Sequence, residues 1–309
     1  MKTVLITGGS GLIGQELTRL LTEVGYQVII MGRQRPQHPS PDPKVSYAQW
    51  DVKNQTMDVP ALQKADYIVH LAGANVAAQR WTAARKQEIL NSRTRSSQLI
   101  VDMLGRHPNK VTKVISAGAT GFYGESYTKT FTEEDTPAVD FLGSTCVAWE
   151  NSIKPVQDLG KKLVIFRTGI TLSRDGGALA EFYRPLRLGV AAILGSGEQW
   201  VSWIHIHDLV RLYLNAIVND SLEGIFNAVA PNPVTNERLV LAMAQAARNK
   251  SFVPVHAPAF ALKLILGEMS EEVLKSCKCS SKKMEDTGFQ FSYPAIDDAM
   301  EQLFKKQQG

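Results

Sequence analysis

The sequence has few cysteines and no long apolar run. Its 309 residues include three cysteines, Cys146, Cys277 and Cys279, and an odd number excludes a complete disulfide framework. No further metal ligand lies near the last two, so we expect no metal site. No apolar run approaches the length of a membrane-spanning helix, and the N-terminus is typical of a core strand rather than of a signal peptide. We therefore expect a reduced, cytoplasmic protein without a membrane partner.

The sequence also lacks a strong charge of either sign. Its 34 Lys and Arg and its 30 Asp and Glu give a formal net charge of +4. No basic segment with interleaved aromatic residues occurs, so we expect no nucleic-acid partner. With 44% hydrophobic residues, a chain of this length can bury a large core. These features favour a globular protein that binds a small molecule.

The first fourteen residues carry the most informative motif. Residues 4–6 are apolar and predict a buried strand, TGGSGLIG follows at residues 7–14, and residues 15–21 have helical apolar spacing. In this context the glycines let the backbone approach a pyrophosphate, and the helix N-terminus supplies amide donors and partial positive charge. The alternative is a purely structural turn. The residues predicted to contact the dinucleotide are Gly8, Ser10, Gly11, Leu12, Ile13 and Gly14.

The end of the second predicted strand indicates which dinucleotide is bound. Residues 27–31 predict that strand, and Gly32 and Arg33 follow it, where an NAD-specific site places an acidic side chain on the ribose. A carboxylate would repel the 2′-phosphate of NADP, whereas a guanidinium binds it with parallel hydrogen bonds. We therefore predict NADP(H) as the cofactor. The alternative is that Arg33 is a solvated surface residue.

Strand-like and helix-like patterns alternate through the first half of the chain. Strands are predicted at residues 66–73, 113–116 and 163–167, and long helices at 82–104 and about 142–159. Such alternation is typical of helices that cross over between parallel strands. It predicts an α/β fold with a doubly wound parallel Rossmann sheet.

The second half of the chain has a different pattern. Repeated glycines predict a loop-rich insertion at about 173–200 that faces the cleft. Residues 199–209, QWVSWIHIHDL, predict a strand and a helix start capped by Asp208. We therefore divide the chain into a Rossmann dinucleotide-binding domain at 1–228 and a smaller mixed C-terminal substrate subdomain at 229–309. Ligands are expected in the cleft between them.

The glycine motif is one of eight sequence blocks that carry a family resemblance. They are TGGSGLIG (7–14), HLAG (70–73), RWTAARKQEILNSR (80–93), FRTGITLSRDGGAL (166–179), GSGEQWVSWIHIHDL (195–209), NAVAPNPVTN (227–236), GEMS (267–270) and TGFQFSYP (287–294). The chain resembles the extended short-chain dehydrogenase/reductase superfamily, also called NAD-dependent epimerases and dehydratases. Within it, the chain is more similar to an uncharacterised epimerase-like family with a C-terminal domain of unknown function.

The resemblance implies roles for residues outside the glycine motif. Gly32 and Arg33 would hold the adenosine phosphate, Asp51 would hydrogen-bond adenine, and Thr171 would border the nicotinamide. The residues that would line or approach the cofactor are Leu71, Ala72, Gly73, Glu88 and Arg93. For the last two, the alternative is that they are ordinary surface charges. The resemblance also allows a homodimer, because relatives often pair through two helices of each chain.

One feature of the superfamily is missing from the sequence. Its reductases use a Tyr-x-x-x-Lys pair, in which the lysine lowers the tyrosine pKa so that the phenol exchanges a proton as hydride moves. No such pair occurs, and its spacing falls on Cys146 and Glu150. A neighbouring carboxylate raises the pKa of a thiol and does not activate it. The candidate catalytic residues are therefore Ser116, Tyr123 and Cys146, with packing in the core as the alternative for the last two.

Two functions fit these observations. The leading hypothesis is an NADP(H)-dependent oxidoreductase or epimerase-like enzyme that acts on an unidentified small polar substrate. The alternative is a catalytically idle NADP(H)-binding sensor or scaffold, which the missing dyad and the cell-division label of some family members suggest. An enzyme needs a polar group beside the reacting carbon, whereas a scaffold presents a large exposed apolar patch.

Overall fold

The computed structural model describes residues 1–248 and 251–305. Its strands are β1 (Thr3–Thr7), β2 (Gln27–Gly32), β3 (Val45–Asp51), β4 (Thr56–Met57), β5 (Tyr67–His70), β6 (Lys113–Ala119), β7 (Thr130–Phe131), β8 (Lys162–Thr168), β9 (Ile170–Leu172), β10 (Val190–Leu194), β11 (Trp200–Val201), β12 (Trp203–His205), β13 (Gly224–Ala228), β14 (Val234–Thr235), β15 (Val253–Ala257) and β16 (Lys278–Cys279). Its α-helices are α1 (Leu12–Glu23), α2 (Val59–Lys64), α3 (Ala83–Arg106), α4 (Phe141–Ile153), α5 (Ala178–Leu186), α6 (Ile206–Val218), α7 (Asn236–Arg248), α8 (Ala259–Leu266), α9 (Met269–Leu274), α10 (Lys282–Glu285) and α11 (Ile296–Phe304). Short 3₁₀ turns lie at Thr120–Phe122 and Lys154–Val156.

Eight strands form the central sheet, in the order β13-β8-β6-β5-β1-β2-β3-β4. Neighbouring strands are parallel except for β3 and β4 at one edge. From β1 the chain winds outward through β2 and β3 and then, on the other side, through β5, β6 and β8. This order confirms the predicted doubly wound sheet. Its crevice for ligands lies beyond the carboxyl ends of β1 and β5, where the winding direction reverses.

The central strands are apolar on both faces because helices cover both faces. Val4 and Ile6 point into one core together with Leu17 of α1. Leu5, between them in the strand, points into a second core together with Leu99 of α3. Successive side chains of a strand alternate between the faces of a sheet. A continuous apolar run is therefore the expected sequence of a parallel strand buried on both sides.

A third core combines residues from before and after β13. Leu172 and Trp203 pack there with Leu239 of α7 and Met300 of α11. All four side chains are fully buried. The part of the chain that follows β13 thus shares its hydrophobic core with segments that precede β13.

The segment at 173–200, predicted to be rich in loops, contains α5 and β10. Gly177 precedes α5, and Gly189 has a φ of +84° in the turn before β10. Leu179 and Ile193, within these two elements, are buried. The glycines therefore mark the ends of short elements. Residues 173–177, 187–189 and 195–199 lie outside helices and strands, so the segment has many loop residues, and the two short elements were missed because they contain too few residues to show a clear apolar period.

Helix boundaries follow local signals. Helix α3 begins after Thr82, close to its predicted start, because the Thr82 hydroxyl accepts a hydrogen bond from the Arg85 amide at 3.2 Å. Helix α4 ends earlier than predicted. Pro155 lies in the 3₁₀ turn that follows it and has no amide hydrogen with which to continue the helix.

Asp208 does not cap α6, contrary to the prediction. The cap is His205, whose Nδ1 accepts the amide of His207 at 3.1 Å. The carboxylate of Asp208 is fully buried and accepts the amides of Ser292 and Tyr293 at 2.9 and 2.8 Å. It therefore ties the segment that leads into α11 to the first turn of α6.

Helix α8 presents apolar side chains to solvent. Phe260, Leu264 and Ile265 are 77%, 77% and 66% exposed. The first two are four residues apart and therefore lie on one face of the helix. The helix has only eight residues. Across the described ranges, no helix is both long and apolar enough to cross a membrane.

A buried histidine links β5 to β1 and α3. His70 Nδ1 lies 2.7 Å from Thr7 Oγ1, and His70 Nε2 lies 3.2 Å from Ser97 Oγ and 3.3 Å from Ser96 Oγ. Burial, with a smaller contribution from the charge of Arg93, lowers the pKa of His70 to about 3. The folded protein therefore holds this ring in its neutral form.

We expect His70 to make the protein sensitive to acid. The unfolded imidazole titrates near pH ~6.5, whereas the folded one titrates near 3. Between these two pH values the unfolded chain binds more protons at this position than the folded chain does. The contribution of His70 to the free energy of unfolding is therefore fully present above the unfolded pKa and is lost as the pH falls toward the folded pKa. The expected slope is about 1.4 kcal/mol per pH unit for this group. Urea denaturation of the wild type and of His70→Gln at several pH values gives the free energy of unfolding, and its change with pH gives the slope.

The exposed His38 offers a matched control. His38→Gln is expected to keep the acid-side slope of the wild type, whereas His70→Gln is expected to flatten it. A His70→Gln protein that loses stability with falling pH as steeply as the wild type would contradict this origin of the pH dependence.

Candidate functional site

The glycine turn brings three backbone segments into van der Waals contact. Gly8 has a φ of +72°, and a Cβ at this position would lie 2.9 Å from the carbonyl carbon of Leu71, just after β5. A Cβ at Gly14 would lie 2.5 Å from the carbonyl oxygen of Gly8. Neither contact is possible for a residue with a side chain, so both positions require glycine. The close approach places the start of α1 directly beyond the end of β1.

The first turn of α1 is free to hold an anion. Its N-cap is Gly11, which provides no side-chain cap, and the turn contains no acidic residue. Ser10 and Gly11 are exposed, and the side-chain amide of Gln15 donates to the Ser10 carbonyl oxygen at 2.8 Å. Uncapped amides at a helix N-terminus, together with the helix dipole, favour a phosphate group.

Thr171, on β9, lies near the same turn. A Cβ at Gly177 would be 3.3 Å from Leu12 Cδ2 and 3.8 Å from the Thr171 carbonyl oxygen. The structure thus brings Leu12 and Thr171 together across Gly177. Ile13, the next residue of α1, packs against the core on one face of the sheet.

Arg33 follows β2 with an exposed side chain. Within the ranges that the structure describes, its guanidinium makes no hydrogen bond or ion pair, and only its carbonyl oxygen is bonded, by Gln49. Arg35, by contrast, forms an ion pair with Asp58 at 2.5 Å. Gly32, the last residue of β2, is half-buried. A cation is therefore available at the end of β2, on the side of the crevice where an adenosine phosphate is expected.

Asp51 ends β3, the neighbour of β2. Its carboxylate accepts the amides of Lys53 and Asn54 at 2.8 and 3.0 Å, and the side-chain amide of Asn54 at 2.8 Å. The hydrogen bond from the Asn54 backbone, and then the one from its side chain, lowers the pKa of Asp51. An ordered, ionised carboxylate therefore lies at the end of β3.

Arg93 supports the turn that follows β5. Its Nη1 donates to the carbonyl oxygens of Ala74 and Ile89, both at 3.0 Å, and its guanidinium carbon lies 5.0 Å from the ring centroid of Trp149. A Cβ at Gly73 would lie 3.3 Å from the same guanidinium carbon. Arg93 is therefore bound against the edge of the crevice and is not an ordinary surface charge.

Glu88 is placed differently. Its side chain is 60% exposed and pairs with the buried Arg85 at 2.6 Å. This arrangement fits a surface ion pair that fixes Arg85. Leu71 and Ala72 are half-buried at the end of β5, next to the glycine turn.

Tyr123, a candidate proton donor, lies in the core. Its side chain is fully buried, and its hydroxyl donates to Asn227 Oδ1 at 2.7 Å and accepts from Arg167 Nη1 at 3.0 Å. Burial raises the pKa of Tyr123. A phenol held in this way is not free to exchange a proton with a substrate. The geometry thus favours the packing role that the sequence left as the alternative.

Ser116 and Cys146 are also buried, with 1% and 4% exposure. Ser116 Oγ donates to the Ala117 carbonyl oxygen at 3.1 Å, and Cys146 Sγ lies 3.8 Å from the Ala119 carbonyl oxygen. Burial, and after it the charge of Glu150, raises the pKa of the Cys146 thiol to about 12. Cys146 is therefore a neutral thiol near pH ~7 and not an activated nucleophile.

Glu150 stands where the missing dyad would have its lysine, and it is one partner of a buried ion pair. Glu150 accepts two hydrogen bonds from Arg167, at 2.8 Å from Nε and 3.0 Å from Nη2. The two side chains are 4% and 3% exposed. The Arg167 guanidinium also lies 3.4 Å from the ring centroid of Phe122, and Glu133 accepts the amide of Asn227 at 2.7 Å. This network joins α4, β8 and β13 where a catalytic lysine would otherwise lie.

A cavity of about 700 Å³ lies between α3, α4 and α9. Trp81 and Phe141 line it with rings 5.1 Å apart at an angle of 70°. Its charged lining residues are Lys86, Glu125, Asp140, Glu268, Glu271, Glu272 and Lys275. Five carboxylates against two lysines make the cavity acidic, with an aromatic wall on one side.

Glu272 connects this cavity to the segment after β6. Its Oε1 lies 3.6 Å from the position of a Cβ on Gly121, in the 3₁₀ turn that follows β6. Lys275 Nζ donates to Glu272 Oε2 at 3.0 Å and to Asp140 Oδ2 at 2.7 Å. Burial raises the pKa of Glu272. A carboxyl group that can carry a proton therefore lies beside the segment from which Ser116 and Tyr123 were proposed as catalytic residues.

Sequence reasoning missed Glu272, Lys275 and Asp140 as site residues. Asp140 carries a helix-capping signal, and it does cap α4 by accepting the Gly143 amide at 2.8 Å. Glu272 lies in a short helix among other charged residues, which is typical of a solvated surface. The signal that could have found Glu272 and Lys275 was the family block at 267–270, which lies next to these two residues in the chain.

A larger cavity of about 1040 Å³ lies beside α1, on the side of the Ser173, Arg174 and Asp175 loop. His205 and His207 line it, with ring centroids 6.5 Å apart. His205 Nε2 lies 2.9 Å from Gln302 Oε1 of α11. Burial lowers the pKa of His205, so this ring contributes polarity without a fixed charge.

Two family models match the chain. The one described as the NAD dependent epimerase/dehydratase family matches residues 4–228, and a domain of unknown function, DUF1731, matches residues 257–303. An epimerase family protein of Staphylococcus saprophyticus is 36% identical over 304 residues, which cover 98% of this chain and 99% of that protein. One of Staphylococcus aureus is 37% identical over 308 residues, which cover 99% of this chain and 100% of that protein. These matches confirm the resemblance seen in the sequence blocks.

Solved structures give the same picture. The human epimerase family protein SDR39U1, isoform 2, crystallised with NADPH, has a TM-score of 0.87 and 27% identity, and the match covers 98% of this chain and 99% of that one. A nucleoside-diphosphate sugar epimerase from Corynebacterium glutamicum has a TM-score of 0.77 and 31% identity, over 98% of this chain and 58% of that one. MoeE5 in complex with UDP-glucose and NAD, at 21% identity and a TM-score of 0.77 over 97% of both chains, shows a likeness of fold alone.

We expect Glu150→Gln to destabilise the protein strongly. Removing one partner of a buried ion pair leaves the other charge without compensation, at a cost of about 3–5 kcal/mol. Thermal and urea denaturation measure the loss. The double variant Glu150→Met/Arg167→Met, which removes both charges, is expected to recover a large part of it.

The exposed pair of Glu181 and Arg184, with side chains 61% and 73% exposed, provides the control. Glu181→Gln is expected to change the free energy of unfolding by less than about 1 kcal/mol. Equal losses for Glu150→Gln and Glu181→Gln would show that the buried pair is not the constraint inferred here.

Proposed function

The chain belongs to the NAD-dependent epimerase/dehydratase family, and from this premise we propose that it is an NADP(H)-dependent oxidoreductase or epimerase acting on a small polar molecule. The observation that carries the proposal is the combined geometry of the crevice. A glycine turn admits a pyrophosphate at an uncapped helix N-terminus, and the unpaired Arg33 lies at the end of the next strand.

The preference for NADP(H) rests on Arg33. No carboxylate occupies the first positions after β2, where it would repel a 2′-phosphate, and Arg35 is already engaged by Asp58. The human relative crystallised with NADPH is consistent with this preference. When bound, the cofactor would supply or accept a hydride. The protein would orient its adenosine end through Arg33 and Asp51.

The acidic cavity beside Gly121 is the proposed substrate site. Trp81 and Phe141 would pack against an apolar face of the substrate, and the surrounding carboxylates would accept hydrogen bonds from hydroxyl or amino groups. Carboxylates outnumber lysines in the cavity and would repel a diphosphate, so a neutral or cationic polar molecule fits better than a nucleotide sugar. Glu272 would exchange the proton that accompanies hydride transfer, in the role that a Tyr-x-x-x-Lys pair performs elsewhere in the superfamily.

A second candidate is an NADP(H)-binding protein without catalysis, which senses redox state or holds a partner. Two observations favour it. The dyad positions are filled by a neutral buried thiol, Cys146, and by the ion-paired Glu150. The exposed Phe260, Leu264 and Ile265 give α8 an apolar surface of the kind that partner binding uses.

The cofactor proposal is tested by fluorescence titration with NADPH and with NADH. Losing a charge-assisted contact to the 2′-phosphate removes about 1.5–3 kcal/mol of binding free energy. We therefore expect Arg33→Ala to weaken NADPH binding about ten- to a hundredfold and to leave NADH binding nearly unchanged. Arg35→Ala is the matched control and is expected to have a much smaller effect, because Arg35 is paired with Asp58. Equal affinity of the wild type for both cofactors would refute the assignment of Arg33.

Catalysis is tested by turnover of a panel of carbonyl, polyol and amino compounds and sugar nucleotides with NADPH or NADP. For an active substrate, Glu272→Gln is expected to lower kcat about 10²- to 10⁴-fold without changing NADPH affinity, the usual contribution of a general acid–base. Glu271→Gln, at the adjacent exposed carboxylate of the same cavity, is expected to retain kcat within a few-fold. Tight NADPH binding without turnover of any compound would favour the sensor or scaffold.

A further inference from the structure

Two cysteines lie side by side on one face of an extended segment near the end of the chain. Cys277 Sγ and Cys279 Sγ are 3.6 Å apart. Cys277 forms a parallel bridge with Val201, and Cys279 belongs to β16, which pairs with β7. In an extended backbone, residues two apart project their side chains to the same face. The local backbone therefore places both thiols on one face, where their side chains can turn toward each other.

Hydrogen bonds on both sides hold this segment in place. The Cys277 amide donates to the Trp200 carbonyl oxygen at 3.0 Å, and the Cys279 amide donates to Ser202 Oγ at 2.8 Å. Ser202 Oγ in turn donates to the Cys277 carbonyl oxygen at 2.9 Å. The backbone that carries both cysteines is thus held in place, and the rotamers of the two side chains bring their sulfur atoms to 3.6 Å.

The pair also has a route to solvent. Cys277 is half-buried, whereas Cys279 is 1% exposed. An oxidant can therefore reach Cys277 first, and Cys279 lies behind it in position to resolve the product. The hydrogen bond with Cys279, and after it burial, raises the pKa of Cys277, which makes the first attack slow.

The third cysteine faces elsewhere. Cys146 lies on α4, and its Sγ is directed toward the Ala119 carbonyl oxygen. Cys277 Sγ is directed toward the next carbonyl along the chain, that of Thr120, at 3.9 Å. Both thiols thus approach the end of β6, but only Cys277 and Cys279 have a sulfur–sulfur contact among the hydrogen bonds of the described residues.

We propose that Cys277 and Cys279 form a reversible intrachain disulfide, with a small-molecule disulfide such as oxidised glutathione as the oxidant. The Cys277 thiolate attacks one sulfur of the oxidant, whose sulfur–sulfur bond breaks and releases one thiolate. The Cys279 thiolate then attacks the Cys277 sulfur of the mixed disulfide and releases the second thiolate. Two electrons pass from the cysteine pair to the oxidant, and the two released thiolates take up the two protons that the cysteines lose.

The resulting bond would be easy to reduce. In a strand, the Cα atoms of residues i and i+2, such as Cys277 and Cys279, are about 6.6 Å apart. This distance is near the upper end of the range of about 4.4–6.8 Å that a disulfide tolerates. Strained disulfides are the ones that cells open and close. Closing the bond also removes the thiol hydrogen bond to Thr120, in the 3₁₀ turn that contains Gly121 and lies beside Glu272.

The test is a redox titration of the full-length protein in buffers of reduced and oxidised glutathione. After acid quenching, the free thiols of the denatured protein are alkylated with N-ethylmaleimide. Intact mass spectrometry then counts the adducts, one for each free cysteine. We expect three adducts under reducing conditions and one under oxidising conditions, with return to three after addition of dithiothreitol. Trypsin adds a specific readout because Lys278 lies between the cysteines. It releases residues 276–278 and 279–282 as two peptides joined only by the disulfide.

The variants separate the possible pairings. Cys146→Ser is expected to show the same transition, from two adducts to none. Cys277→Ser is expected to keep both remaining thiols free or to carry a single glutathione, without an intrachain bond. Three adducts in the wild type at every glutathione ratio, a linkage that includes Cys146, or a disulfide between two chains would each overturn the proposal.

Discussion

The candidate dinucleotide crevice depends on the absence of side chains at Gly8 and Gly14. Cβ atoms at these positions would enter the backbone that follows β5 and the carbonyl group of Gly8 itself. Any substitution there would push α1 away from the sheet, and the helix N-terminus would no longer point at the crevice. Arg33 follows β2, the neighbour of β1, and Asp51 ends β3, the next strand in the sheet, so their value as cofactor ligands depends on that one close approach.

The buried network around Arg167 explains why this chain can have the family fold without the dyad of the superfamily. Glu150 uses its carboxylate to neutralise an arginine from the neighbouring strand, and Tyr123 accepts a further hydrogen bond from that arginine. A lysine at position 150 would place two cations together in the core, so the ion pair and the dyad exclude each other. A proton-exchanging group therefore has to come from a different part of the fold, and Glu272 of α9 offers a carboxyl group for it.

The sheet and the nucleotide turn could be predicted from the sequence because their signals are local. An apolar run, a glycine spacing and a helical period each lie within about a dozen residues. The cavity could not be predicted in this way, because Trp81, Asp140 and Glu272 meet only in the folded chain. Tyr123 is a case in which the sequence suggested a functional residue that the packing does not support. Its position in the segment suggested chemistry, and only the packing around it reveals that its hydroxyl is fully engaged.

The third core restricts how this protein can diverge. Leu172 and Trp203 need Leu239 and Met300 as packing partners, and Asp208 fixes the chain that leads into α11. A chimera in which the part after β13 came from a relative would therefore have a third core whose two sides come from different proteins and do not match in packing. New specificities in this lineage are better reached by single substitutions along the cavity wall than by swapping the C-terminal part as a cassette.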